Sequence, residues 1–176
     1  MINKLIEEIN KALDNNLYII ALTNALILPD ICGKAEYPEL KPMQRYKKWY
    51  QEYIGEYERW PNDIEEKDLE EGENIPYLSA DVIYSLRCSL LHEGNPNVDK
   101  KQVDSFRLII DEKNKFGLYV DMAGSNSYDM NIRRICMIIC RTVKSYYDEN
   151  KEKFNFFNYC IRDIKKEYAR VLKDEN

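Results

Sequence analysis

Arg87 and His92 are the two side chains of this chain whose types and spacing suggest a reaction. They stand five positions apart in Arg87-Cys88-Ser89-Leu90-Leu91-His92, a segment closed by Glu93-Gly94-Asn95-Pro96. His92 is the only histidine among 176 residues, and imidazole is the one side chain whose ordinary pKa suits proton transfer near neutrality. A guanidinium is a permanent cation with several donors that can brace a phosphate. The pair fits a small phosphodiester-cleaving site, in which the imidazole moves protons and the guanidinium takes up developing charge.

The element that positions them reads as a helix from Ser79 to about His92. Ser79 is a capping residue with Leu78 ahead of it as a staple, and Gly94 can end the last turn. At 100° per residue Val82, Ile83, Leu86 and Leu90 share one arc and face a core, while Arg87 and His92 lie about 140° apart on the other side. The face between them carries Ala80, Tyr84, Cys88 and Leu91. A free surface helix would carry charges there, so something is expected to cover it. A second copy of the same helix is the economical candidate, since most soluble oligomers are symmetric and twofold. Across such an axis two arginines and two histidines would line one cleft. Ser89, Tyr84 and Asn95, on the same helix and just past it, are the expected substrate contacts. The plainer alternative makes His92 a helix-ending cation and pairs Arg87 with Asp81 or Glu93.

The rest of the chain reads as scaffold. Ile2, Leu5, Ile6, Ile9 and Leu13 recur at helical spacing up to a break at Asn15-Asn16. Leu17 to Cys32 is apolar nearly all round, which suits a central helix, with Pro29 loosening its last turn and Gly33 ending it. Pro42 opens a third helix over Met43 to Trp60, with a stripe of Tyr46, Trp49, Tyr50, Tyr53, Ile54 and Tyr57. Such a stripe is read as core packing before a base-stacking platform. Phe106 to Asp111 and Leu118 to Asp121 look like two strands of a hairpin around the polar loop Glu112 to Gly117. Ser127 or Asp129 is expected to cap a fifth helix running to about Asn150, and Phe154 to Lys173 makes a sixth.

Composition sets bounds on these readings. Charged residues are 32% and hydrophobic ones 44%, as in ordinary globular proteins. The net charge of −5 argues against a nucleic-acid partner, but Asp63 to Glu73 alone carries −6 and leaves +1 elsewhere. A weakly basic groove is thereby allowed. Arg133, Arg134, Arg141, Lys144, Arg162, Lys165, Lys166 and Arg170 are candidates to hold an RNA backbone, though ordinary solvated faces are the simpler reading. Five cysteines (Cys32, Cys88, Cys136, Cys140, Cys160) in helical, partly apolar contexts read as buried free thiols of a reducing compartment. With one histidine and no CxxC, no metal site is expected. Leu17 to Leu28 follows acids instead of a basic region and is too short to span a bilayer, so no membrane partner and a cytoplasmic location are expected.

With these elements in place, an all-α bundle with Arg-x4-His late in a middle helix resembles the HEPN superfamily. The segments ALTNALILPDICG (21–33), RYKKWYQEYI (45–54) and YSLRCSLLHEG (84–94) are similar to a bacterial subgroup. The resemblance covers most of the chain, and the motif helix is its most specific part. Together with the elements read above, it describes a single HEPN-like domain over 1–176, a mainly α bundle of about six helices with an acidic loop at 62–76 and a β-hairpin inserted at 104–122. It further implies a metal-independent endoribonuclease without cofactor, working as a homodimer on RNA in toxin–antitoxin, phage-defence or RNA-processing systems, with an antitoxin protein as a further partner. Arg87 and His92 match the two motif positions. A polar residue often follows the family's arginine, whereas Cys88 stands there here and Ser89 comes one place later. That departure leaves a catalytically silent nucleotide- or protein-binding domain as the alternative.

Overall fold

The structure is a computed structural model that describes residues 1–57, 79–95, 98, 105–110, 119–121, 127–156 and 164–165. It is mainly helical: α1 (Ile2–Asp14), α2 (Tyr18–Ala25), α3 (Leu28–Glu36), α4 (Pro42–Tyr50) followed by a π-helical turn (Gln51–Gly55), α5 (Ala80–Glu93), α6 (Ile132–Glu149) and a 3-10 turn (Lys151–Phe154). Three strands, β1 (Ser105–Ile109), β2 (Tyr119–Asp121) and β3 (Ser127–Asn131), form a small sheet. The acidic loop 62–76, the polar loop 112–117, Leu78, Cys160 and most of the expected sixth helix lie outside the described residues.

The first helix ends where its asparagines put it, with Asn15 as cap and Asn16 at φ 59. Its apolar stripe is buried against α2 and α6. The expected single helix over Leu17 to Cys32 is instead two. Pro29 has no N–H to give the carbonyl four residues back, and its ring crowds that carbonyl. That residue is Ala25, where α2 stops. The break is therefore one turn upstream of the proline, and Pro29 becomes the second residue of α3, a position that needs no N–H. Gly33 does not end the helix either, since α3 runs on to Glu36. Its missing side chain lets α4 close in: a Cβ there would lie 2.7 Å from the Arg45 carbonyl oxygen. By length and composition Tyr18–Glu36 could cross a membrane, yet Ala21, Leu22, Ala25, Leu26, Leu28 and Cys32 in it are fully buried within this chain.

The expected third helix is α-helical only to Tyr50, and its aromatic stripe is core except for Tyr57, which lies past the π-helical turn and is 79% exposed. Tyr46, Trp49 and Tyr50 are wholly buried. Trp49 stacks on Tyr53 at 5.0 Å and meets Tyr146 of α6 edge-on at 5.5 Å. Around them α6 packs against α1, α2, α3 and the π-helical turn, with Ile135, Cys136, Ile139, Cys140 and Val143 turned inward. The sheet departs from the expected hairpin. β1 and β2 do not pair with each other; β3 lies between them, parallel to β1 and antiparallel to β2. Asp129 is thus a strand residue, held across the parallel pair by its register partner Arg107 at 2.5 Å. It is not a helix cap, nor is Ser127. Asn131 does that work where β3 passes into α6, accepting from the Arg133 N–H at 3.0 Å and the Arg134 N–H at 3.5 Å.

Candidate functional site

Helix α5 has the ends its sequence predicts. The Ser79 hydroxyl accepts the Val82 N–H at 3.3 Å. At the other end Gly94 adopts φ +65, and the chain turns back so that the Asn95 N–H reaches the Ser89 carbonyl at 3.3 Å. That is a left-handed helix stop, open to glycine because it has no Cβ. Val82, Ile83, Leu86 and Leu90 are buried, as their arc requires. Part of the semi-apolar face is covered by the same chain. Ala80 is buried, and Tyr84 packs edge-on against Tyr46 of α4 at 5.2 Å with the Lys47 ammonium 5.4 Å from its ring. Cys88 and Leu91, further along, are half-buried.

Arg87 leaves α5 toward α3 and α4, where it meets Asp30. Its Nη2 donates to Asp30 Oδ2 at 3.3 Å. The partners anticipated from sequence, Asp81 and Glu93, are not the ones used: Asp81 pairs with Lys47 at 2.5 Å, and Glu93 is exposed at the helix end. Arg45 of α4 holds the opposite oxygen of Asp30, donating from both Nε and Nη2 at 3.1 Å. Asp30 is the third residue of α3, where the unbonded N–H groups of a helix start favour a carboxylate. One carboxylate between two guanidiniums leaves the trio with one net positive charge. All three are largely shielded: 16% of the Arg45 side chain, 21% of Asp30 and 18% of Arg87 remain exposed.

The guanidinium of Arg87 also lies 5.8 Å from the Tyr46 ring and 5.7 Å from the Tyr84 ring, within cation–π range of both. Its Nη1 reaches the Cys88 sulfur at 4.0 Å, and its Nε is buried without a hydrogen-bond partner among the described residues. Complete burial pushes the Tyr46 hydroxyl far above its ordinary range, and that hydroxyl donates to the Leu26 carbonyl at 3.1 Å. Burial, and next its hydrogen bond with Cys88, raise the Tyr84 hydroxyl too. Both phenols are therefore neutral near pH 7 and can orient groups without trading protons.

His92 and Asn95 sit apart from this cluster, exposed at the end of α5. The backbone N–H of Asn95 is committed to the helix stop, and Ser89 is half-buried on the inner turn. Among the described residues no hydrogen bond, ion pair or ring contact joins His92 to Arg87. Five helical residues separate them by about 7.5 Å of rise, and their side chains diverge. The fold thus brings together Arg87 and Tyr84, both singled out by the sequence pattern, and surrounds them with Asp30, Arg45 and Tyr46, which that pattern does not mark as site residues. A signal for Asp30 was present: an acid following proline inside an apolar stretch needs a cation once that stretch is buried.

The other candidates are structural or solvated. Arg133 lies over Tyr18 and donates to Asn16 Oδ1 at 3.2 Å. Lys144 pairs with Asp148, and Arg141 and Lys165 are exposed; Arg162, Lys166 and Arg170 lie outside the described residues. Cys32, Cys136 and Cys140 are buried free thiols. Burial pushes the Cys140 thiol up to about 12 and the other two higher still. Compared with known proteins, the chain matches no family model, no curated protein and no solved structure.

Proposed function

We propose that this chain is a metal-independent endoribonuclease of HEPN type that works as a homodimer, with Arg87 and His92 as its catalytic residues. The observation that carries this reading is the contrast within one helix. His92 is open to solvent at the end of α5, while Arg87, five residues earlier, is held in a shielded cluster of net positive charge. The chemistry uses the ribose 2′-OH as internal nucleophile. It attacks the adjacent phosphorus as one His92 imidazole accepts its proton, and the P–O5′ bond breaks as a second imidazole protonates the departing oxygen. Arg87 offsets the charge of the crowded phosphorane. One chain has one histidine, so the second comes from the other copy. The products are a 2′,3′-cyclic phosphate and a free 5′-hydroxyl.

The test is cleavage of a mixed RNA pool by purified protein in excess chelator, over concentrations that span the monomer and the dimer. Activity is expected to appear with the dimer. His92→Ala is expected to lower the rate by about 10²–10⁴-fold, the usual share of general acid–base catalysis. Arg87→Ala should abolish cleavage while leaving the dimer intact. If the dimeric wild-type protein cuts no RNA, the reading fails. One observation favours a binding domain without catalysis instead: Arg87 is already engaged by Asp30 and followed by Cys88. Under that reading a nucleotide or a partner protein binds tightly and His92→Ala changes nothing.

A further inference from the structure

The ion pairs around Asp30 are unequal, and the inequality points to control of Arg87. Arg45 grips one carboxylate oxygen with two hydrogen bonds at 3.1 Å, whereas Arg87 has a single, longer bond of 3.3 Å to the other. A charge-assisted bond between nitrogen and oxygen is ordinarily 2.7–2.9 Å, so the Arg87 contact is the weak side of the trio. Arg87 is also under-satisfied. Besides that bond it has a sulfur contact at 4.0 Å, and its Nε is buried without a partner among the described residues. Two tyrosine rings hold the guanidinium in place without using its N–H groups.

We propose that Asp30 is a built-in counter-ion that competes with an incoming phosphodiester for Arg87, and that Arg45 sets the strength of this competition by holding the other oxygen of Asp30. This rests on the reading of Arg87 as the phosphate-bracing cation and adds its regulation by two residues outside the motif. Without an anionic ligand the carboxylate neutralises part of the Arg87 charge in a shielded site. When a phosphate oxygen arrives, Arg87 exchanges one long bond for a bidentate pair, and Asp30 stays with Arg45 instead of being stranded as a buried, unpaired charge.

The proposal makes opposite-signed predictions for two neighbours. Asp30→Asn removes the competitor with almost no change of shape and should tighten binding of an oligodeoxyribonucleotide by about five-fold, the scale of a partly exposed ion pair. That probe carries phosphodiesters but no 2′-OH, so it reports binding without cleavage. Arg45→Gln frees Asp30 to pair fully with Arg87 and should weaken binding by a similar factor, while the double variant should bind at least as well as wild type. Asp81→Asn, the same charge change at an exposed site on α5, is the control and should leave affinity nearly unchanged. In the wild-type protein, where no folding defect enters, the Arg87 Nε–H resonance should shift when the probe is added.

Weaker binding or no change in folded Asp30→Asn, an Asp81→Asn gain as large as that of Asp30→Asn, or an unmoved Arg87 resonance would each overturn the proposal. The two readings separate cleanly. If RNA is cut but the signs are wrong, the counter-ion idea fails alone. If the signs hold but no RNA is cut, the ribonuclease reading fails alone.

Discussion

Two residues of the site make opposite demands on the fold. His92 is exposed and touches no other described side chain through a hydrogen bond or ion pair, so His92→Ala should leave the thermal melting curve unmoved while, under the proposed ribonuclease reading, it lowers cleavage by about 10²–10⁴-fold. Surface positions of this kind rarely matter for stability. Tyr46 is the reverse case. Its hydroxyl satisfies the Leu26 carbonyl at the break between α2 and α3, and its ring flanks Arg87. Tyr46→Phe keeps the ring and leaves a buried carbonyl short of a donor, which should cost about 1–3 kcal/mol in urea unfolding. RNA or oligodeoxyribonucleotide binding should change little, because the ring face toward Arg87 is retained.

At the scale of elements, two glycines position the site through different physics. Gly33 is needed for space. Its Cα faces the backbone of Arg45, and a methyl group would sit 2.7 Å from a carbonyl oxygen that cannot rotate away. Gly33→Ala should cost about 1–3 kcal/mol as overpacking. Because α3 and α4 bring Asp30 to Arg45, it should also loosen the hold on Arg87. Gly94 is needed for its dihedral angle. Among the described residues nothing lies within 4 Å of a Cβ built there, but φ is +65. Gly94→Ala should therefore cost only about 1 kcal/mol of strain, measurable as a lower melting temperature. It would also disturb the turn that carries His92, so cleavage should fall further than stability alone explains.

At the scale of the whole molecule, the end of α6 is tied back to α3 by Glu36, which accepts from the Tyr146 hydroxyl and the Lys153 ammonium, both at 2.6 Å. Burial pushes the Glu36 carboxyl up, but the bonds from Lys153 and Tyr146 outweigh it and hold the group below its ordinary value of 4.5. A carboxylate whose pKa is depressed on folding stabilises the protein above its unfolded pKa and loses that contribution as pH falls through the folded value. Melting temperatures measured from pH 7 to pH 3 should therefore drop below about pH 4.5, and Glu36→Gln should reduce the drop. An equal drop in both proteins would show that other carboxylates account for the acid sensitivity.

Features set by local physics were legible in the order of the residues. The arc of α5, its Ser79 cap and Gly94 stop, the stripe of α1 and the mainly helical class all follow from periodicity and capping, which act within a few residues. The existence of strands near 105–109 and 119–121 was legible for the same reason. Their partner was not, because Ser127–Asn131 is a polar segment that looks like a helix start until Arg107 claims Asp129 across the sheet. Which acid meets Arg87 became visible in the packed fold alone. Asp30 lies 57 residues away in sequence, and it arrives there because Pro29 resets the helix and Gly33 lets α3 and α4 close. Helix propensity has no term for such a meeting. Burying an acid among apolar neighbours demands a cation, but which cation depends on how three helices pack.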